Sequence, residues 1–163
     1  FYVQLTGSRL APVLDTLRYL VHETEVWVEI TTLLIPGKND SDAELAALSS
    51  WVAKSLGDRV PVHFTAFHPD YRMQDLARTP PATLTRARHI AQSEGLRYVY
   101  TGNVHDAAGG TTHCPRCHEA LIVRDWHAIR DYRLTPGGHC PYCATEIAGR
   151  FEHYSDFGSV GSP

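Results

Sequence analysis

Along the first hundred positions, the apolar residues switch between a helical and an extended period. From Ala11 to His22, Leu14, Leu17, Leu20 and Val21 share one side of a helix, and Pro12 is tolerated in its first turn. Val26 to Ile35 is rich in β-branched and aromatic residues, carries Glu29 as its only charge and ends in Pro36-Gly37, which predicts a strand and a turn. Ser41 with Glu44 makes a capping box, and Leu45, Leu48, Val52 and Leu56 follow at helical spacing up to Gly57. A buried strand is expected from Val60 to Phe67, then a loop from Pro69 to Arg78. Thr79-Pro80-Pro81 reads as a cap and first turn of a third helix reaching Glu94, and Gly95 closes it before a strand from Leu96 to Thr101. This strand and helix unit repeats roughly every 35 residues, the spacing of crossovers in a parallel sheet.

The pattern changes at Asp106 to Thr112, where small residues predict a linker over 106–111. Residues 1–105 form the α/β part, 112–150 a small module holding all four cysteines, and 151–163 a tail of turn residues. At 163 residues the chain suits one well-buried domain plus an appendage. It has no apolar run of membrane-span length and no signal-like segment, so a cytoplasmic home is expected. A net charge of −3, with two lysines among fifteen basic residues, gives no footprint for nucleic acid or an anionic membrane.

Cys114-Pro-Arg-Cys117 and Cys140-Pro-Tyr-Cys143 form a C-x2-C-x22-C-x2-C pattern, the most specific signal in the chain. Two such loops can turn four thiolates toward one point, which suits zinc in a closed structural site, with rubredoxin-like iron as the alternative. Disulfides are disfavoured, because cytosolic thiols stay reduced. A zinc ribbon can itself be a binding module. From Thr112 to Arg150, however, five arginines face four acids, which is too balanced for a phosphate-tracking surface.

Chemistry is expected where a strand of a parallel sheet ends. Pro61 to Asp70 runs from an apolar strand into His68, Pro69 and Asp70, and ligands sit beyond the carboxyl ends of such strands. His63 and His68 also admit a packing role. A hydrolytic metal held by His63, His68 and Asp70 is the rival reading, but residues five apart on a strand point to opposite faces.

Taken in order, Thr31 to Asp40, His63 to Tyr71, Tyr98 to Val104 and the paired cysteine loops resemble the C-terminal half of a radical S-adenosylmethionine enzyme. The similarity is to the AmmeMemoRadiSam system group, relatives of the pyruvate formate-lyase activating enzymes. It implies the second half of a partial (β/α) barrel followed by a zinc-ribbon-like module. It also implies S-adenosylmethionine and a 4Fe-4S cluster at the strands' carboxyl ends, with the sulfonium cleaved reductively to a 5′-deoxyadenosyl radical that takes hydrogen from a substrate.

Residue by residue, the resemblance implies His68 as a contact to S-adenosylmethionine. Pro36, Gly37, Asn39 and Asp40 match the loop bordering that site, and Asp70 and Asn103 are expected to line it. The family's CxxxCxxC cluster motif is absent, and Phe1 opens in mid-domain, so the chain is expected to be one piece of a longer enzyme and inactive alone. The expected partners are the N-terminal half of the same enzyme, a reductant for the cluster and an unidentified substrate, which includes the option of a protein.

Overall fold

A computed structural model describes residues 1–151; most of the expected tail, 152–163, lies outside the described residues. After a single π-helical turn at Tyr2–Thr6, the order is α1 (Leu10–Glu23), β1 (Ile30–Leu34), α2 (Asp42–Ser55), β2 (Val62–Ala66), α3 (Pro81–Ser93), β3 (Val99–Gly102), α4 (Ala107–Gly110), β4 (Thr112–His113), β5 (Ala120–Asp125) and β6 (Ala128–Tyr132). The architecture is mixed α/β with two small sheets. β1, β2 and β3 form a parallel sheet in sequence order, and β4, β5 and β6 an antiparallel one. Among the described residues no barrel closes.

The two-residue period of β2 decides which side of the parallel sheet is core. Val62, Phe64 and Ala66 are buried, and with Leu34 and Val99 they meet Leu45 and Val52 of α2 and Leu84, Ala87 and Ala91 of α3. Each large apolar side chain so buried contributes about 1.5–3 kcal/mol. The other face carries Thr31 and Leu33 of β1, His63 and Thr65 of β2 and Tyr100 of β3, with His63 in register between Thr31 and Tyr100. Among the described residues no helix covers that face.

The helices start and stop where their termini are satisfied. Ser41 accepts from the Glu44 amide and donates to the Glu44 carboxylate at 2.7 Å, a capping arrangement that also places Asp42 and Glu44 against the positive end of the α2 dipole. Gly57 and Gly95, at φ 106° and 103°, reverse the chain after α2 and α3, a backbone conformation L residues rarely adopt.

Three expectations are corrected. The run from Val26 is extended in the β ladder only from Ile30, because Val26 to Glu29 have no strand opposite them. The last strand of the sheet begins at Val99 rather than Leu96. Thr79 does not cap α3: Pro80 holds the cap position without a side-chain bond, and Thr79 is fully buried and bonded elsewhere.

Residues 106–111, expected as a linker, contain the single helical turn α4. Asp106 accepts from the Gly109 amide at 3.0 Å and from the Thr101 hydroxyl at 2.9 Å. Gly109 is buried where a Cβ would collide with Thr101 and the Asp106 carboxylate. Glycine composition here reflects close approach and not slack.

Candidate functional site

The carboxyl ends of the three parallel strands are laced by side chains. Thr79 donates to the Leu34 carbonyl at 2.6 Å and accepts from the Phe67 amide at 2.9 Å, which joins the exits of β1 and β2. Asn103, just past β3 at φ 60°, donates to the Ala66 carbonyl at 3.2 Å. The loop after β1 is held from within. Asn39 accepts from the Ile35 amide at 2.8 Å and donates to the Leu33 carbonyl at 2.9 Å, while Asp40 accepts from the Gly37 amide at 2.8 Å. Arg86 of α3 donates to the Asp40 carbonyl and pairs with Asp42.

His68 and Asp70 follow β2 at the same rim. His68 is exposed and makes no hydrogen bond, ion pair or ring contact with the described residues, whereas Asp70 accepts from the Tyr71 amide at 2.7 Å. The topology therefore gathers Pro36, Gly37, Asn39, Asp40, His68, Asp70 and Asn103 at one end of the sheet. Of these, Asn39 spends both polar atoms of its side chain on the backbone, so its first duty is to shape the loop. His63, on the uncovered face, does not share this rim with His68.

The four cysteine sulfurs lie within 4.8 Å of one another. Cys114 and Cys143 are 3.5 Å apart and Cys117 and Cys140 3.6 Å, far beyond a disulfide at about 2.0 Å and near the roughly 3.8 Å edge of a tetrahedron of thiolates around one ion. Four cysteines are thus positioned to bind a metal ion.

The two loops are built alike. Cys114 accepts from the His118 amide at 3.0 Å and donates to the Glu119 carbonyl at 2.9 Å; Cys140 accepts from the Ala144 amide and donates to the Thr145 carbonyl, both at 2.9 Å. His118 and Ala144 share the left-handed conformation, at φ 63° and 58°. His118 thereby acts as a turn residue. The surroundings of the sulfurs shift two of the thiols in opposite directions. The Thr145 hydroxyl and amide lower Cys143 to about 6. The Glu119 amide also favours a Cys117 thiolate, but burial and the three neighbouring sulfurs outweigh it and push that thiol up to about 12. Four thiolates this close need a cation among them.

A cleft of about 940 Å³ opens between the uncovered face of the parallel sheet, β5 and the segment 147–151. Trp27, Glu29, His63, Tyr100, Arg124 and Trp126 line it. Sequence reasoning gave these residues no site, apart from His63 in the rival metal reading. Its one usable signal was β2's alternation, which sets His63 opposite the core face, beside Glu29 as the lone charge of its run.

The cysteine module is an integral wall of this cleft. Tyr98 packs in the core of the cysteine module, and its hydroxyl accepts from the Ala148 amide at 3.1 Å. Arg59 pairs with Glu146 at 3.2 Å. Within the cysteine module, Arg130 pairs with Asp125 and Arg133 with Asp131, which spends cations a phosphate-binding surface would need. Among the described residues no helix is long and apolar enough to cross a membrane.

No known protein-family profile matches the chain. It is similar to an uncharacterized protein of Methanocaldococcus jannaschii, with 43% identity over 124 residues, which is 76% of this chain and 37% of that protein. The chain thus spans little more than a third of the curated relative's length.

Proposed function

We propose that this chain is the C-terminal part of a radical S-adenosylmethionine enzyme resembling the pyruvate formate-lyase activating enzymes, with zinc at Cys114, Cys117, Cys140 and Cys143. The observation that carries the reading is the rim. Three parallel strands in sequence order end together, and each contributes polar residues there: Pro36 to Asp40 after β1, His68 and Asp70 after β2, Asn103 after β3. That is where a ligand of an open or closed parallel sheet is held.

His68, exposed and unpaired at the rim among the described residues, has both ring nitrogens available for a polar contact to the cofactor. Asp70 keeps one carboxylate oxygen beyond its bond to Tyr71. The Thr79 and Asn103 bonds fix the strand exits that carry these residues, so the rim is ordered before a ligand arrives. When bound, S-adenosylmethionine and its cluster supply one-electron reduction of the sulfonium and hydrogen-atom abstraction from a substrate.

The cysteines present do not suit that cluster. Their sulfurs are spaced for a single ion, whereas a cubane takes each ligand on a different iron atom and needs them further apart. Cluster ligands and the N-terminal half therefore belong to the parent polypeptide in this reading, and the reductant is a separate partner.

The test uses the complete polypeptide, reconstituted anaerobically with iron and sulfide and reduced with dithionite. Methionine and 5′-deoxyadenosine should form in equal amounts from S-adenosylmethionine. A fully reconstituted protein that neither binds S-adenosylmethionine nor cleaves it would overturn the assignment.

A further inference from the structure

The cleft on the uncovered sheet face holds a second arrangement, away from the polar residues after β1 and β2. Trp27 Nε1 donates to Glu29 Oε1 at 2.8 Å, and the other carboxylate oxygen, Oε2, lies 2.7 Å from His63 Nε2. Glu29 is thereby fixed at both oxygens. A carboxylate only accepts, so it selects the His63 tautomer with hydrogen on Nε2 and leaves Nδ1 with a lone pair. No group among the described residues bonds to Nδ1. The ring is held from one side as well, stacked on Tyr100 with centroids 5.1 Å apart at 27°.

Tyr100 is fixed in turn. Its hydroxyl bonds Thr112 at 2.9 Å, Arg124 donates to the same Thr112 oxygen at 2.8 Å, and the Arg124 guanidinium lies 5.6 Å over the Tyr100 ring. The other carboxylates of the cleft are occupied by the protein: Asp106 by Thr101 and Gly109, Asp125 by Arg130. His63 Nδ1 is therefore an oriented acceptor without a partner among the described residues, in a cleft that Trp27, Tyr100 and Trp126 also line.

We infer that this cleft binds a small ring-bearing ligand that stacks against these aromatic side chains and donates an O–H or N–H to His63 Nδ1. Glu29 is the positioning residue that, in the neutral imidazole, sets the hydrogen on Nε2 and so presents Nδ1 as the acceptor. The site does not depend on radical chemistry at the rim, so either reading can fail alone.

The experiment titrates phenol and toluene into the complete, metal-loaded polypeptide labelled with 15N-histidine, with binding followed by tryptophan fluorescence and by the His63 ring-nitrogen shifts. In the free protein, His63 should carry its hydrogen on Nε2. Phenol should bind saturably and shift Nδ1, and toluene, the same shape without a donor, should bind at least about tenfold more weakly. His63→Gln keeps a group to meet Glu29 but has no acceptor at the Nδ1 position, so phenol should fall to the toluene level. His63→Asn, which sets a carbonyl near that position, should recover part of the difference.

Should the His63 variants fold poorly, Glu29→Gln decides the matter with the imidazole in place. Its amide oxygen can still accept from Trp27 while its NH2 donates to His63, which forces the hydrogen onto Nδ1 and should abolish the preference for phenol. A free protein with hydrogen on Nδ1, equal affinities for phenol and toluene, or no saturable binding of either would each overturn the inference.

Discussion

The Thr79 hydroxyl donates to the Leu34 carbonyl across 45 residues of sequence, at 2.6 Å in a fully buried setting, and accepts the Phe67 amide at 2.9 Å. One oxygen thus serves two strand exits. Thr79→Val keeps the shape and leaves two buried backbone groups unsatisfied, which costs about 2–4 kcal/mol. Urea unfolding should show that loss, and Thr79→Ser should restore most of it. A Val variant as stable as the parent would mean that water or a shifted backbone replaces the hydroxyl.

Metal should be stoichiometric and required for the cysteine module to fold. About one zinc per chain is expected from elemental analysis of reduced protein, because four thiolates leave no open position. Cys140→Ser should lower occupancy and unfold 112–150 before the α/β part, visible as early amide exchange at Leu121 and Ile122. Red, iron-loaded protein would instead identify a rubredoxin-like centre, and two disulfides with no metal would refute the site.

Alkaline pH should weaken the contact between the parallel sheet and the cysteine module. Burial raises the Tyr100 pKa above its usual value near 10, against the opposing pulls of Thr112 and Arg124. The folded protein therefore holds this proton longer than the unfolded chain. The resulting stability is complete below about pH 10 and is lost as pH climbs from there through the raised value. Tyr100→Phe should flatten that fall in the urea midpoint. At neutral pH it should cost about 1 kcal/mol, through the lost bond to Thr112.

His68 should matter for binding and little for folding. His68→Ala removes an exposed side chain with no partner among the described residues, so the melting temperature should move by less than an equivalent of about 0.5 kcal/mol. Affinity of the complete polypeptide for S-adenosylmethionine should drop about tenfold. Unchanged affinity with a large stability loss would assign His68 to packing, and loss of a divalent metal with the cysteine site still filled would favour a hydrolytic centre.

The elements were legible where one period ran long enough. α2 followed from its cap and from Leu45 and Val52 at helical spacing, and β2 from strict alternation. Parallel order followed from the repeat of strand and helix. Thr79 was misread because threonine before two prolines is a good cap in isolation, and only the fold brings the Leu34 carbonyl to it. Asp106 to Gly110 was read as slack because a glycine required by a neighbour's approach looks the same in sequence as one that supplies freedom. The cysteine spacing pointed to one centre because each ligand pair is local. The Glu29 and His63 pair could not be seen so directly: its partners are 34 residues apart and meet only through the β1 and β2 register.

The hydrophobic core of the cysteine module is small: among the described residues it has seven buried members, of which two are cysteines of the four-sulfur group and one, Tyr98, comes from beside the parallel sheet. Such a core needs the ion to keep its shape. Since β5 and residues 147–151 form one side of the aromatic cleft, that side is as firm as the coordination behind it. An ion bound there would act at a distance as the hinge pin of a wall. A cell short of the metal would have a protein whose parallel sheet still stands while its ligand cleft has lost a side, so metal supply would set ligand affinity without touching a single cleft residue.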